Sequence, residues 1–276
     1  MAAEKRKKVG LALGGGAARG QAHIGVLEVL ERENIPIDMI AGTSAGALVG
    51  ALYAQGKKAA ELKEIILDLD WKKRIRLIDL VLPRTGFISG RKLKNMAKSI
   101  VGDVDFSDLK IPLACVATDV MTGEEVVIKE GSVLDAVRAS ISLPVILTAV
   151  KWRGRYLVDG GLVNQVPVSV VKEMGADFII AVNVLPHLGK KVDELHLKEE
   201  LGQLKEPSIF NIILQTINIP ASRLVESNLN GADVVIEPII PGIASGGDFR
   251  HARDYISHGE HVARDAIAEI KRRLNS

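Results

Sequence analysis

The chain has 276 residues, 47% of them hydrophobic, enough for one large α/β domain with a full core and too apolar for a disordered chain. Lys and Arg number 36 against 34 Asp and Glu, a formal charge of +2 that gives no general argument for nucleic acid. One cysteine, Cys115, excludes a disulfide framework. No apolar run reaches the ~18 residues that cross a bilayer, and no signal peptide is visible. The expected location is cytoplasmic, with peripheral contact at the inner membrane surface as an option. The basic run Lys5-Arg6-Lys7-Lys8 reads as a solvated arm with some attraction for anionic lipid.

A strand is expected at 8–13. It leads into Gly14-Gly15-Gly16-Ala17-Ala18-Arg19-Gly20 and then into a helix at 21–33, with Ile24, Leu27 and Leu30 at helical spacing. A glycine-rich loop ahead of a helix turns unpaired backbone amides toward one spot and makes a nest for an anion. It is not a nucleotide loop of either standard kind. A Walker loop would close on Gly-Lys-Ser/Thr, where this chain has Gly20-Gln21-Ala22. A dinucleotide fingerprint would need glycine in place of Arg19 and an acidic residue ending the next strand. That strand, at 37–41, runs instead into Gly42-Thr43-Ser44-Ala45-Gly46 and a helix at 45–55. G-x-S-x-G at a sharp strand-to-helix turn pushes its serine outward, at the positive end of a helix. Beside an exposed serine, the natural anion for the nest is the oxyanion of acyl transfer.

Residues 57–107 interrupt the alternation and read as a cap-like insertion, with helices at 59–69 and 90–100. Between them, Trp71 to Leu82 mixes cations with bulky apolar groups. A helix packed on the sheet with snorkelling cations is the preferred reading, ahead of a lipid-facing surface. Strands at 111–119 and 124–129 are joined by the turn Met121-Thr122-Gly123, which makes the sheet mixed. A helix follows at 132–140, then strands at 146–151 and 155–158. The second of these runs into Asp159-Gly160-Gly161, where a carboxylate can project into a cleft. The rest reads as a helix at 167–174, a strand at 178–184 and a charged surface segment at 186–207. A helix at 208–229 follows, which Pro220 should kink or split, then a strand at 233–237 and a helix at 249–274 broken near Gly259. Ile209, Ile212, Ile213, Leu214 and Ile217 are candidates to line an acyl channel, with an ordinary core face as the preferred reading. The alternation implies a three-layer α/β/α sandwich with a mostly parallel, mixed central sheet, all in one domain over 1–276.

Taken in order, the glycine loop with Arg19, the elbow at Ser44 and Asp159-Gly160-Gly161 resemble the patatin-like phospholipase family. The strings Ala22 to Leu27, Arg138-Ala139-Ser140-Ile141-Ser142-Leu143-Pro144 and Asn164 to Pro167 extend the likeness. It runs from about Val9 to the C-terminal helix and is greatest to the short, single-domain bacterial members. The resemblance implies a serine–aspartate dyad, without catalytic histidine, that cleaves fatty-acyl esters of (lyso)phospholipids or related lipids. It implies Ser44 as nucleophile, Asp159 as base and oxyanion donors within Gly14, Gly15, Gly16 and Ala17. Arg19, Gly20, Gly42, Gly46, Gly160 and Gly161 would support these motifs. No cofactor and no metal are expected; the partner is the lipid ester, not nucleic acid, and the oligomeric state is open. Arg19 is expected to brace the loop, and His23 to be structural. One alternative is a triad esterase recruiting His187, His196, His251, His258 or His261, although residue 44 comes too early in the chain for an α/β-hydrolase elbow. Another is a lipid-sensing or regulatory protein that keeps the fold with little turnover.

Overall fold

The computed structural model describes residues 6–68, 90–186, 209–239 and 249–276. The segment Trp71 to Leu82, most of the charged stretch at 186–207, His187 and His196 lie outside the described residues.

Strand β1 (Val9–Leu13) is central, flanked in parallel by β2 (Met39–Thr43) and β7 (Phe178–Val182). Beyond β2 lie β3 (Leu113–Asp119), then β6 (Arg155–Asp159) and β5 (Val150–Trp152) antiparallel to one another, while β4 (Glu125–Ile128) pairs with β3. On the far side β8 (Val234–Ile236) joins β7 in parallel, completing a mixed sheet of eight strands. Every residue of β1, β2, β3 and β7 is buried, which is why these strands read as continuous apolar runs.

The pleat sends alternate side chains to two separate cores. Leu11, Leu13, Ile40, Cys115, Ile180 and Val182 meet a layer made by α1 (Ala22–Arg32), α2 (Ala45–Ala54), α3 (Ala59–Asp68), α5 (Val133–Ser140) and α8 (Ala252–Leu274). Ala12, Ala41, Ala114, Val116 and Ala181 meet α6 (Val168–Glu173) on the other face, where small residues let that short helix lie close. The outcome is the expected three-layer arrangement. The two helices described within the 57–107 segment pack on the body: Leu62 and Ile66 of α3, and Ala97 and Val101 of α4 (Gly90–Val101), are buried in the first core.

Three local expectations are corrected. The strand foreseen at 146–151 starts only at Val150. Leu147 instead donates to the Leu143 carbonyl at 2.9 Å in a turn whose Val145 has φ +69°, and buried Arg138 holds the Thr148 carbonyl at 3.0 Å. Helix α8 is unbroken at Gly259, because that glycine serves contact rather than flexibility. A Cβ there would stand 2.1 Å from the Ala22 carbonyl oxygen, and one on Gly25 would stand 2.0 Å from that of Ile256. Helices α1 and α8 thus touch backbone to backbone. Pro220 does not divide α7 (Ile209–Asn228). Pro220 and Thr216, whose carbonyl loses its i+4 partner, both lie on the exposed face, where water replaces that bond. The basic start is less of a free arm than its composition suggests, since Arg6 holds both Asp38 carboxylate oxygens, at 2.6 and 2.5 Å.

Candidate active site

The sheet register gathers the three motifs. Leu13 pairs with Gly42, Thr43 with Val116, and Ala117 with Asp159, so the ends of β1, β2 and β6 lie side by side. Ser44 sits between β2 and α2 with φ 53° and ψ −119°, a conformation an L-residue holds only under constraint. Close approach explains the flanking glycines. A Cβ on Gly46 would lie 2.1 Å from the Leu13 carbonyl oxygen, and one on Gly42 would lie 2.6 Å from the Ala47 backbone. The elbow is braced from below: Ser44 N–H donates to Ser140 Oγ at 2.8 Å, and that hydroxyl donates to the Val116 carbonyl at 2.6 Å. Thr43 Oγ1 ties the strand end to the Asn164 carbonyl at 2.8 Å.

Ser44 Oγ donates directly to Asp159 Oδ2 at 2.6 Å, with both residues buried. The other carboxylate oxygen accepts Gly161 N–H at 2.8 Å. The backbone of Asp159 is held at both ends, its carbonyl by Thr118 Oγ1 at 2.8 Å and its amide by the Ser142 carbonyl at 2.9 Å. Gly160 and Gly161 are needed for space: a Cβ on the first would meet the Val116 carbonyl oxygen at 2.3 Å, and one on the second Gln165 Oε1 at 2.4 Å. Burial pushes the Asp159 carboxyl up to about 6, against the opposing pull of its bonds from Ser44 and Gly161. A carboxylate so raised is a better proton acceptor near neutral pH than an ordinary one.

The glycine loop is narrower as an anion nest than its sequence suggests. Gly14 N–H donates to the Val182 carbonyl and Gly15 N–H to the Gln165 carbonyl, each at 3.0 Å, so neither amide is available as an oxyanion donor. Among the described residues no protein acceptor reaches the amides of Gly16 and Ala17. Ala17, at φ +50°, opens the short 3₁₀ turn Ala17–Gln21 that precedes α1. Gly20 lets that turn pass α2, since its Cβ would stand 2.4 Å from the Ala45 Cβ. Arg19 is buried at the cleft wall near Tyr255 of α8, and burial lowers its pKa. His23 is fully buried and bonds the Gly14 carbonyl through Nε2 at 2.7 Å. Burial holds its imidazole down at about 4, so at neutral pH it is an uncharged donor that braces the loop.

The late histidines that are described stay away from this site. His251 pairs with Asp254 at 2.9 Å on the surface, and His258 and His261 lie near each other on α8, with ring centroids 6.4 Å apart. Among the described residues no group of three His, Cys, Asp or Glu side chains could hold a metal ion. The cleft over Ser44 encloses about 440 Å³, open mouth included. Leu143 lines it together with Ile217, Asn218 and Ala221 of α7. Of the acyl-channel candidates whose side chains are described, Ile217 reaches it and Ile212 is exposed; the side chains of Ile209 and Leu214 lie outside the description. Sequence reasoning gave no role to Ser140 and did not single out Gln165 or Asn228. Ser140 and Gln165 do lie inside the strings that carried the family likeness. Chemically, the arrangement pairs an alcohol with a carboxylate, beside two free amides and an apolar slot.

A family model described as Patatin-like phospholipase matches residues 11–172. An uncharacterized NTE family protein of Mycobacterium tuberculosis is 37% identical over 177 residues, covering 64% of this chain and 49% of that one. Neuropathy target esterase sws of Drosophila melanogaster is 37% identical over 183 residues, 64% of this chain and 13% of that protein. A lysophospholipase of Scheffersomyces stipitis is 36% identical over 183 residues, 64% of this chain and 12% of its own length. The match thus spans about half or less of each of these relatives. Among solved structures, VipD from Legionella pneumophila aligns with a TM-score of 0.48 at 13% identity, covering 95% of this chain and 67% of that one. No helix among the described residues is long and apolar enough to cross a membrane.

Proposed function

The chain belongs to the patatin-like phospholipase family, and from that premise we propose that it hydrolyses fatty-acyl esters of (lyso)phospholipids or related lipids through a Ser44–Asp159 dyad. The observation that carries this reading is the direct 2.6 Å bond from Ser44 Oγ to a buried carboxylate, with no imidazole between them. Ser44 attacks the ester carbonyl carbon as its proton passes to Asp159 Oδ2. The carbonyl oxygen becomes an alkoxide and takes hydrogen bonds from the amides of Gly16 and Ala17. Collapse of the tetrahedral species expels the lipid alcohol, which receives the proton from Asp159. A water then enters, gives a proton to Asp159 and attacks the acyl-enzyme. The second collapse returns a proton to Ser44 Oγ and frees the fatty acid. The oxyanion donors matter nearly as much as the dyad, since losing one typically costs ~10²–10³ in kcat.

The apolar cleft wall suits an acyl chain. Val120, Met121 and Tyr156 are exposed where β3 ends beside β6, and Val145 and Ile219 are exposed two residues along from the cleft-lining Leu143 and Ile217. They support contact with a lipid surface from which substrate would enter. We read the chain as one patatin-like domain, with about 57–107 as its insertion. The test is a panel of phospholipids and lysophospholipids followed by mass spectrometry, with wild type beside Ser44→Ala and Asp159→Asn. Release of fatty acid by wild type alone is the expected result. Turnover by folded Ser44→Ala would overturn the assignment.

A further inference from the structure

Gln165 lies in the turn that follows Asp159 and is 4% exposed. It holds Gly15 at two points: its carbonyl accepts Gly15 N–H at 3.0 Å, and its side-chain Nε2 donates to the Gly15 carbonyl at 2.6 Å. The second bond has a consequence for the neighbouring residue. The carbonyl of Gly15 and the N–H of Gly16 belong to one planar peptide unit, and in the trans form they point in opposite directions. A group that fixes the direction of the Gly15 carbonyl therefore aims the Gly16 N–H the other way. That N–H has no protein acceptor among the described residues.

The amide orientation of Gln165 is itself determined, because only Nε2 can donate to a carbonyl. Oε1 then faces Gly161. A methyl built on Gly161 would stand 2.4 Å from Oε1 and 3.2 Å from Asp159 Oδ1. One buried side chain thus adjoins both the loop of free amides and the turn that holds the carboxylate. Gln165 is in turn anchored: its N–H donates at 2.8 Å to Oδ1 of Asn228, the last residue of α7. The same helix lines the cleft through Ile217, Asn218 and Ala221.

We propose that Gln165 is the positioning residue of the oxyanion hole, aiming Gly16 N–H by gripping the far end of its peptide plane, with Asn228 fixing Gln165 from the cleft-wall helix. This rests on the hydrolase reading above. The hole is then pre-aimed before substrate arrives, and its aim depends on the seating of α7.

The test uses Gln165→Met, which keeps length without a donor, and Gln165→Glu, which keeps shape but presents only acceptors. For folded variants, kcat on a soluble nitrophenyl ester should fall about tenfold to a hundredfold, as expected when a transition-state contact is misaimed. KM should stay within about threefold, since ground-state binding is not the function assigned. Fluorophosphonate labelling of Ser44 should slow in parallel, because that reaction also builds charge on an oxygen in the hole. The second arm uses Asn228→Asp, whose carboxylate still accepts the Gln165 N–H, against Asn228→Leu, which accepts nothing. Asp should retain most of the kcat that Leu loses, and this arm decides the matter if the Gln165 variants fail to fold. Folded Gln165 variants with wild-type kcat, a loss seen only in KM, or equal behaviour of the two Asn228 variants would overturn the proposal. A wild type that neither hydrolyses esters nor labels at Ser44 would overturn the hydrolase reading and this one with it. An active wild type with indifferent variants would overturn this one alone.

Discussion

The carboxyl of Asp159 is caught between two demands. As the proposed base it must be ionised, yet its burial raises its pKa from the ordinary 3.8 to about 6. The proton acceptor is therefore lost as pH falls through about 6, and kcat/KM should drop about tenfold per unit below that value. A profile measured with a neutral soluble ester, flat down to pH 4, would remove Asp159 as the base. The same shift has a cost in stability. A folded-state pKa above the unfolded one means that the folded chain holds this proton more tightly. The ionised group therefore disfavours folding above about pH 6 and is neutral below about pH 4. Asp159→Asn keeps the shape and cannot ionise, so it should be more stable than wild type at pH 7, by roughly 1–3 kcal/mol. That gain should vanish near pH 4. Denaturant melts at both values check this, and an Asn variant less stable at pH 7 would contradict it.

At the scale of elements, the helix pair α1 and α8 shows what a glycine inside a helix can mean. Gly259 reads locally as a weak point, yet its missing side chain lets α8 reach the Ala22 carbonyl. Gly259→Ala has no free space, and its neighbour is backbone that cannot rotate aside. It should cost about 2–3 kcal/mol by overpacking even though alanine is the better helix former. A denaturant midpoint equal to wild type would show that the helices part without cost. The same contrast governs what could be read from the sequence. The strands of the buried sheet were legible because each is a short apolar run between turn residues. Ser44, Asp159 and the loop ahead of α1 were legible as a group because glycines adjoin each of them at a strand end. Other features depend on partners far along the chain and leave no local trace. Val182 and Gln165 consume the amides of Gly14 and Gly15, Thr148 is held by Arg138, and Gly259 faces Ala22. Local propensity also overstated Pro220, whose lost bond falls on the wet face of α7.

Across the whole molecule, the exposed apolar groups bear on the proposed contact with a lipid surface. Strand β3 runs on past Val116, the partner of Thr43, so the turn after Asp119 projects roughly 10 Å beyond the level of Ser44. Met121 at that turn is 76% exposed, beside Val120, whose N–H donates to the Tyr156 carbonyl at 2.9 Å. Met121→Asp should weaken binding to phospholipid vesicles about tenfold, the equivalent of one apolar side chain kept in water, and leave turnover of a soluble ester unaltered. Equal vesicle partition in a sedimentation assay would show that this edge does not meet lipid. The seam between α1 and α8 also bears on timing. The helix that carries the glycine nest leans on a helix that begins at Ala252, far later in the chain. At about 5–20 residues per second, a ribosome needs on the order of 10–50 seconds to travel between them. Throughout that interval the nascent chain holds Ser44 without the support behind its nest. The serine elbow and the loop ahead of α1 would thus gain their backing only after residues 252–274 have been made, so the arrangement around Ser44 is among the last parts of the molecule to be completed.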